Sequence, residues 1–171
     1  SVTSASYDSS PFLCTCLVHA YGISSSTLDA NDVFDKIHEP DVISWNALIA
    51  GYAHNGNVYE ADVLFHKMKE EGMELNNEAW NALISGYADN GQSHEALRCF
   101  DQMRTRGLSP DSITFICILK ACSCIGSIDM GKQIHEEIVN RGLLEKDIML
   151  GTALIDMYAK SGALEKAQEV L

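Results

Sequence analysis

Cysteine and histidine are the side chains here that could bind a metal or attack a substrate. Cys14-x-Cys16 and Cys122-x-Cys124 form two close pairs. Zinc needs thiolates that converge tetrahedrally, commonly from pairs with two to four residues between them. Both pairs fall inside helical patterns with one residue between, where i and i+2 point to different sides. With Cys99 and Cys117 they make six cysteines without an obvious disulfide framework, expected as free thiols in a reducing compartment. His19, His38, His54, His66, His94 and His135 are scattered, and His135 falls on an apolar stripe, which predicts a core histidine. No H-E-x-x-H, P-loop, G-x-S-x-G or deaminase-like H-x-E…P-C-x-x-C pattern occurs. The expectation is no metal, no cofactor and no catalysis. What remains is hydrogen-bonding chemistry. Asn46 and Asn81 stand at the same place in two matching segments, near a helix start, where asparagine is favoured for local reasons alone.

Those segments are an internal repeat. Residues 42–76 align without gaps on residues 77–111, and 15 of 35 positions are identical. Chance gives about two, so the duplication is real. WNALIAGYAHNG is matched by WNALISGYADNG, and both continue with EA, F, M and G at equal offsets. Fainter copies flank the pair. Residues 11–41 form a short copy with CLVHAYG, and residues 112–147 a longer one with ILKACSCIG and GKQIHEEI. Residues 148–171 begin another with TALIDMYAKSG, and Ser-rich residues 1–10 are expected as a disordered end.

Each repeat predicts two helices. Trp45, Leu48, Ile49 and Tyr52 follow i, i+3, i+4, i+7 and share a face, as do Trp80, Leu83, Ile84 and Tyr87. This spacing makes both tryptophans core residues rather than stacking platforms. Ala61, Leu64, Phe65 and Met68 form the second stripe, matched by Ala96, Cys99, Phe100 and Met103. Gly56 and Gly91 are predicted to end first helices in the left-handed conformation, Gly72 and Gly107 to end second helices, and Pro110 to prevent continuation. Asn57 followed by Glu60 reads as a capping box. Ala61, Ala96, Gly131 and Ala167 recur at one position and predict close helix approach. One hairpin cannot bury both stripes, so neighbours must stack. The predicted fold is all-α: a right-handed α-solenoid of helix-turn-helix repeats.

Apolar residues make up 46% of the chain, enough for a core, yet no apolar stretch approaches the ~20 residues of a membrane helix. The N-terminal residues do not read as a signal or transit peptide. A net charge of -12 opposes broad phosphate contact, which needs clustered Lys and Arg. Glu70, Glu71, Glu136 and Glu137 are expected on a solvated convex face.

The pattern WNALIxGYxxxG, then EAxxxFxxM, then G and PD, resembles the pentatricopeptide repeat, specifically across residues 42–111 and well elsewhere. Repeat lengths of 31, 35, 35 and 36, with GKQIH at 131–135 in a long repeat and TALIDMYAKSG in a short one, resemble the plant PLS-type subclass. The resemblance implies sequence-specific binding of single-stranded RNA, about one base per repeat, in mitochondria or plastids, in RNA editing or processing alongside protein cofactors. It further implies that each repeat's fifth residue and its last residue read a base edge. The pairs are then Thr15 with Asp41 (resembling the guanine combination), Asn46 with Asn76 (pyrimidine), Asn81 with Asp111 (uracil) and Ile116 with Asp147 (little preference). Thr152 opens a further pair. The implied site is 5′-G-Y-U-N-3′, parallel to the protein. Second residues sandwich bases in this family. Phe12, Ile43, Ile113 and Met149 suit that role, whereas Glu78 departs from it. The family's phosphate-contacting lysine, late in the first helix, is matched by Lys160. Ile23, His54, Asp89 and Cys124 stand elsewhere at that place, which predicts weak binding by a monomer. The competing reading is a protein-binding scaffold like the related tetratricopeptide repeats, which the acidic balance suits. An enzyme has no residue set behind it.

Overall fold

A computed structural model describes residues 11–170, with side chains from Leu13 onward. The expectation of a disordered end at 1–10 and the sandwiching role of the Phe12 side chain lie outside the described residues. The chain forms two compact units, meeting at Leu75 and Asn76. Unit 1 holds α1 (Pro11–Ile23), α2 (Thr27–Phe34), α3 (Val42–His54) and α4 (Val58–Glu70). Unit 2 holds α5 (Asn77–Asp89), α6 (Ser93–Thr105), α7 (Ser112–Ile125), α8 (Ile128–Asn140), α9 (Ile148–Lys160) and α10 (Leu164–Glu169). All described elements are helices, and none is long and apolar enough to cross a membrane.

Odd-numbered and even-numbered helices alternate as hairpins, and odd helices also pack on one another: α1 on α3, α5 on α7, α7 on α9. The apolar stripes explain this. In unit 1, Val18, Phe34, Trp45, Leu48, Ile49, Ala61, Phe65 and Met68 are buried, with Phe34 edge-on to Trp45 at 4.7 Å. In unit 2, Trp80, Leu83, Phe100, Phe115, Ile118, Leu119, Ile138 and Leu154 are almost fully buried. A recurring device closes the outer end of three hairpins. A cation lies over the fourth residue of the odd helix: Lys67 over Trp45, Arg106 over Trp80 and Arg141 over Phe115, at 5.9, 5.9 and 5.3 Å.

Turn chemistry follows the glycines. Gly56 and Gly91 adopt φ of 81° and 74°, and the next residue's N–H returns to the helix, Asn57 to the Tyr52 carbonyl and Gln92 to that of Tyr87. This closure satisfies carbonyls left over at the helix end. It also removes the expected capping box. Asn57, at ψ 59°, lies outside the extended region that aims a cap side chain inward, and it makes no side-chain cap. Small residues act where close approach requires them. A Cβ on Gly131 would lie 2.5 Å from the Met157 sulfur, and one on Gly51 would lie 2.8 Å from the Cα of Gly22.

Four packing expectations are corrected. Tyr52 and Leu64 are half-buried, at the margin of their stripes. His135 is also half-buried, its ring 3.0 Å from the Tyr158 hydroxyl, and burial lowers its pKa. Glu137 is not a solvated acid. It is half-buried and pairs with Arg141, the residue that caps the end of its helix, and with Arg104 of α6 at 3.5 Å.

Candidate nucleic-acid interface

The residue preceding each odd helix from α3 onward is Asp or Asn, and its first task is structural. Asp41 accepts from the Ser44 N–H at 2.8 Å, Asn76 from Ala79 at 3.1 Å, and Asp111 from Thr114 at 3.0 Å. Each such cap is worth about 1 kcal/mol. Asp147 differs and accepts from the Met149 N–H, one position earlier, at 2.9 Å. An additional turn explains it: Lys146 and Asp147 both donate to the Leu143 carbonyl, leaving Asp147 at ψ 101° where Asp41 has 175°. The implied base-reading residues at these places were therefore legible as caps as well. The signal, Asp or Asn just before an apolar run, was present at all four.

Unit 2 joins one implied pair directly. The Asn81 amide nitrogen lies 3.0 and 2.9 Å from the two Asp111 carboxylate oxygens, across a separation of 30 residues. The Thr114 hydroxyl reaches the Asn81 carbonyl oxygen at 2.6 Å and receives the Asp111 N–H at 3.1 Å. Asn81 is only 8% exposed. Its amide is thus pre-oriented, a fixed donor-acceptor set rather than a free rotor. In unit 1, Asn46 is similarly buried in α3, and Thr15 stands half-buried on α1, which packs against α3. Ser44, the counterpart of Thr114, turns its hydroxyl back to the Asp41 carbonyl at 2.8 Å. Asn76 also directs its amide to Glu78 at 3.4 Å.

The second residues of α3, α7 and α9 are apolar and open. Ile43, Ile113 and Met149 are 64, 58 and 60% exposed, a poor arrangement for folding alone and a usable one for stacking against a flat ligand. Glu78 is exposed too, but presents a carboxylate.

Four residues singled out in sequence for different reasons meet between α7 and α9. Ile116, Met149, Thr152 and Lys160 line one groove of about 260 Å³. Lys120, Ala153 and Asp156 complete it. Lys160 is paired with Asp156 at 2.7 Å, and Lys120 with Asp89 at 2.6 Å, a bond that raises the lysine's pKa. Thr152 donates its hydroxyl to the Ile148 carbonyl at 3.1 Å, so it is occupied within its own helix. Sequence reasoning missed Lys120. It precedes Cys124 by four residues, one helical turn from the place where a lysine was sought, which was the available signal. The cysteine pairs diverge as helical geometry requires: Cys14 and Cys122 are buried, Cys16 and Cys124 exposed.

These hairpins define an all-α helical-repeat protein. A family model described as "PPR repeat family" matches residues 40–79 and 76–124, and one described as "PPR repeat" matches 152–171, together more than half of the chain. The chain belongs to the pentatricopeptide repeat family. It is 41% identical over 164 residues to the Arabidopsis thaliana pentatricopeptide repeat-containing protein At5g56310, covering 96% of this chain and 30% of that one. It is 36% identical over 154 residues to the Arabidopsis protein At3g09040, named mitochondrial, covering 90% of this chain and 12% of that one. It thus spans less than a third of either relative. The crystal structure of PPR10 from maize in complex with an 18-nt psaJ RNA element superposes with a TM-score of 0.80 at 22% identity, over 97% of this chain and 25% of that one. Another crystal structure of PPR10 from maize superposes with a TM-score of 0.75 at 21% identity, over 95% of this chain and 24% of that one. These likenesses show the fold, a solenoid of helical hairpins.

Proposed function

We propose that this chain is part of a sequence-specific, single-stranded RNA-binding array, acting by binding alone. The observation that carries the reading is the Asn81 amide held against both Asp111 oxygens, with its own carbonyl held by Thr114. A fixed amide-carboxylate pair beside an exposed Ile113 offers the two things base recognition needs, an oriented polar edge and an apolar face. The proposed repeats are 11–41, 42–76, 77–111, 112–147 and 148–171, of the PLS type. The proposed readers are Thr15 with Asp41, Asn46 with Asn76, Asn81 with Asp111 and Ile116 with Asp147, with Thr152 opening the last repeat. Ile43, Ile113 and Met149 sandwich bases, and Lys160 with Lys120 meets phosphate. The site is 5′-G-Y-U-N-3′. PPR10, whose fold this chain shares, is in complex with an RNA element in one of its structures, and relatives named mitochondrial favour an organellar setting for editing or processing.

Fluorescence anisotropy with labelled RNA containing GCUN or GUUN, beside scrambled and poly-A controls at low salt, tests this. Selective binding that weakens in Asn81→Ala supports it; equal affinity for all RNAs counts against it. The net charge of -12 favours a second reading, a scaffold for a basic protein. Under that reading no RNA binds, even with further repeats appended.

A further inference from the structure

The described odd helices carry few basic groups. Lys120 and Lys160 are the lysines, His19 and His54 the histidines, and arginine is absent. Both lysines are matched by carboxylates, Asp89 at 2.6 Å and Asp156 at 2.7 Å. Their field on an approaching phosphate is correspondingly reduced.

The histidines occupy the same places in unit 1 as the lysines in unit 2. His19 is the ninth residue of α1, as Lys120 is of α7. His54 is the thirteenth of α3, as Lys160 is of α9. Like the lysines, they line a single groove, here of about 180 Å³ between α1 and α3. Both are exposed, so water and ions reach them. The remaining lining is Gly22, Ile23, Ala47, Ala50 and Gly51, without a carboxylate or any other titratable group.

Charges on the packed neighbours lie elsewhere. Asp32 of α2, Asp35 at its end and Glu60 of α4 surround Tyr52; burial first, then these carboxylates, raise the Tyr52 pKa. Asp29 of α2 and Asp62, Lys67, Lys69 and Glu70 of α4 are likewise outside the groove lining.

From this juxtaposition we propose that the α1–α3 groove is a proton-dependent phosphodiester site. His19 and His54, as imidazolium ions, bind the RNA backbone there. The proposal rests on the RNA reading above. An ordinary imidazole changes charge near pH 6.5. A phosphodiester favours the charged form, so binding takes up protons, and linkage requires affinity to rise as pH falls. Gly22, Ala47, Ala50 and Gly51 are small, so Ile23 is the one bulky aliphatic side chain in the lining.

The test measures the chain's affinity for a GCUN-containing RNA by anisotropy at about pH 6 and about pH 8, at constant ionic strength. The wild type should tighten about five- to tenfold at the lower pH. Its plot of log K against log salt should steepen by about 0.7 for each phosphate gained. The double variant His19→Gln, His54→Gln should lose the tightening. His66→Gln, on α4, should retain it. Imidazole resonances of His19 and His54 should titrate at higher pH with RNA bound. Equal tightening in the double variant would assign the effect to the falling net negative charge and overturn the proposal, as would a wild type that binds selectively with no pH response. Absence of RNA binding at either pH would defeat the RNA reading itself, and this site with it.

Discussion

The groove between α1 and α3 and the groove between α7 and α9 have one plan and two fillings. Both use the ninth residue of the earlier helix and the thirteenth of the later one as polar walls. Their floors differ. In unit 1, glycine meets glycine, and a Cβ on Gly51 would sit 2.8 Å from the Gly22 Cα. In unit 2 the tenth residue of α9 is Met157, which lies outside the groove lining and is accommodated by Gly131 of α8. Volume has moved between a first helix and its partner, while the groove persists. Its chemistry has changed with it. The unit 2 walls are lysines paired with acids, and the unit 1 walls are imidazoles without an acid beside them in the groove. Repetition thus fixes where a groove forms, and single positions fix its chemistry.

The largest expected effect breaks the comparison at its floor. Gly51→Met gives α3 the residue of α9 and should cost about 3 kcal/mol in urea unfolding, because the obstructing atom is the backbone of α1. Adding Ala61→Gly, which copies Gly131, should recover little. Full recovery would mean that α4 sets the limit.

A smaller effect separates the caps. Asp41→Ala should cost about 1 kcal/mol, the worth of a helix cap. Asp111→Ala should cost about 2 kcal/mol, because it also strips a partner from Asn81, a buried amide. Equal costs would show that the Asn81 contact adds nothing to stability.

The walls come next. Lys120→Gln and Lys160→Gln should each flatten the salt dependence of RNA binding by about 0.7 or less, since each lysine is shared with a carboxylate. Unlike the histidine variants, they should act equally at about pH 6 and pH 8. The smallest effect is on thiols. Burial lifts Cys117 and Cys122 to about 11. Alkylation near neutral pH should reach exposed Cys16 and Cys124 long before either, as mass spectrometry of peptides would show.

Local pattern made much of the fold legible. The tryptophans lie where a helical stripe buries them, and Gly56 and Gly91 end helices because glycine tolerates positive φ. The capping box at Asn57 failed for a related reason: the glycine closure beside it already sets the backbone entering α4. Pairing across the stack was harder to read. Lys120 meets Asp89 and Glu137 meets Arg104 across about thirty residues, so no helical period reveals them. Glu137 reads as a surface acid until its partners are known. The base readers are implied by family resemblance alone; that four of those places cap helices follows from hydrogen bonds to residues two or three further on.

The most direct measurement is a specificity exchange at Asn81. Thr15 with Asp41 resembles the guanine combination, and Asn81 with Asp111 the uracil one, so Asn81→Thr should exchange one for the other while Asp111 still caps α7. Anisotropy against RNAs that differ only at the third base of G-Y-U-N should show the wild type preferring U and the variant preferring G. Wild type and variant binding all four RNAs equally would contradict the claim that Asn81 and Asp111 read a base.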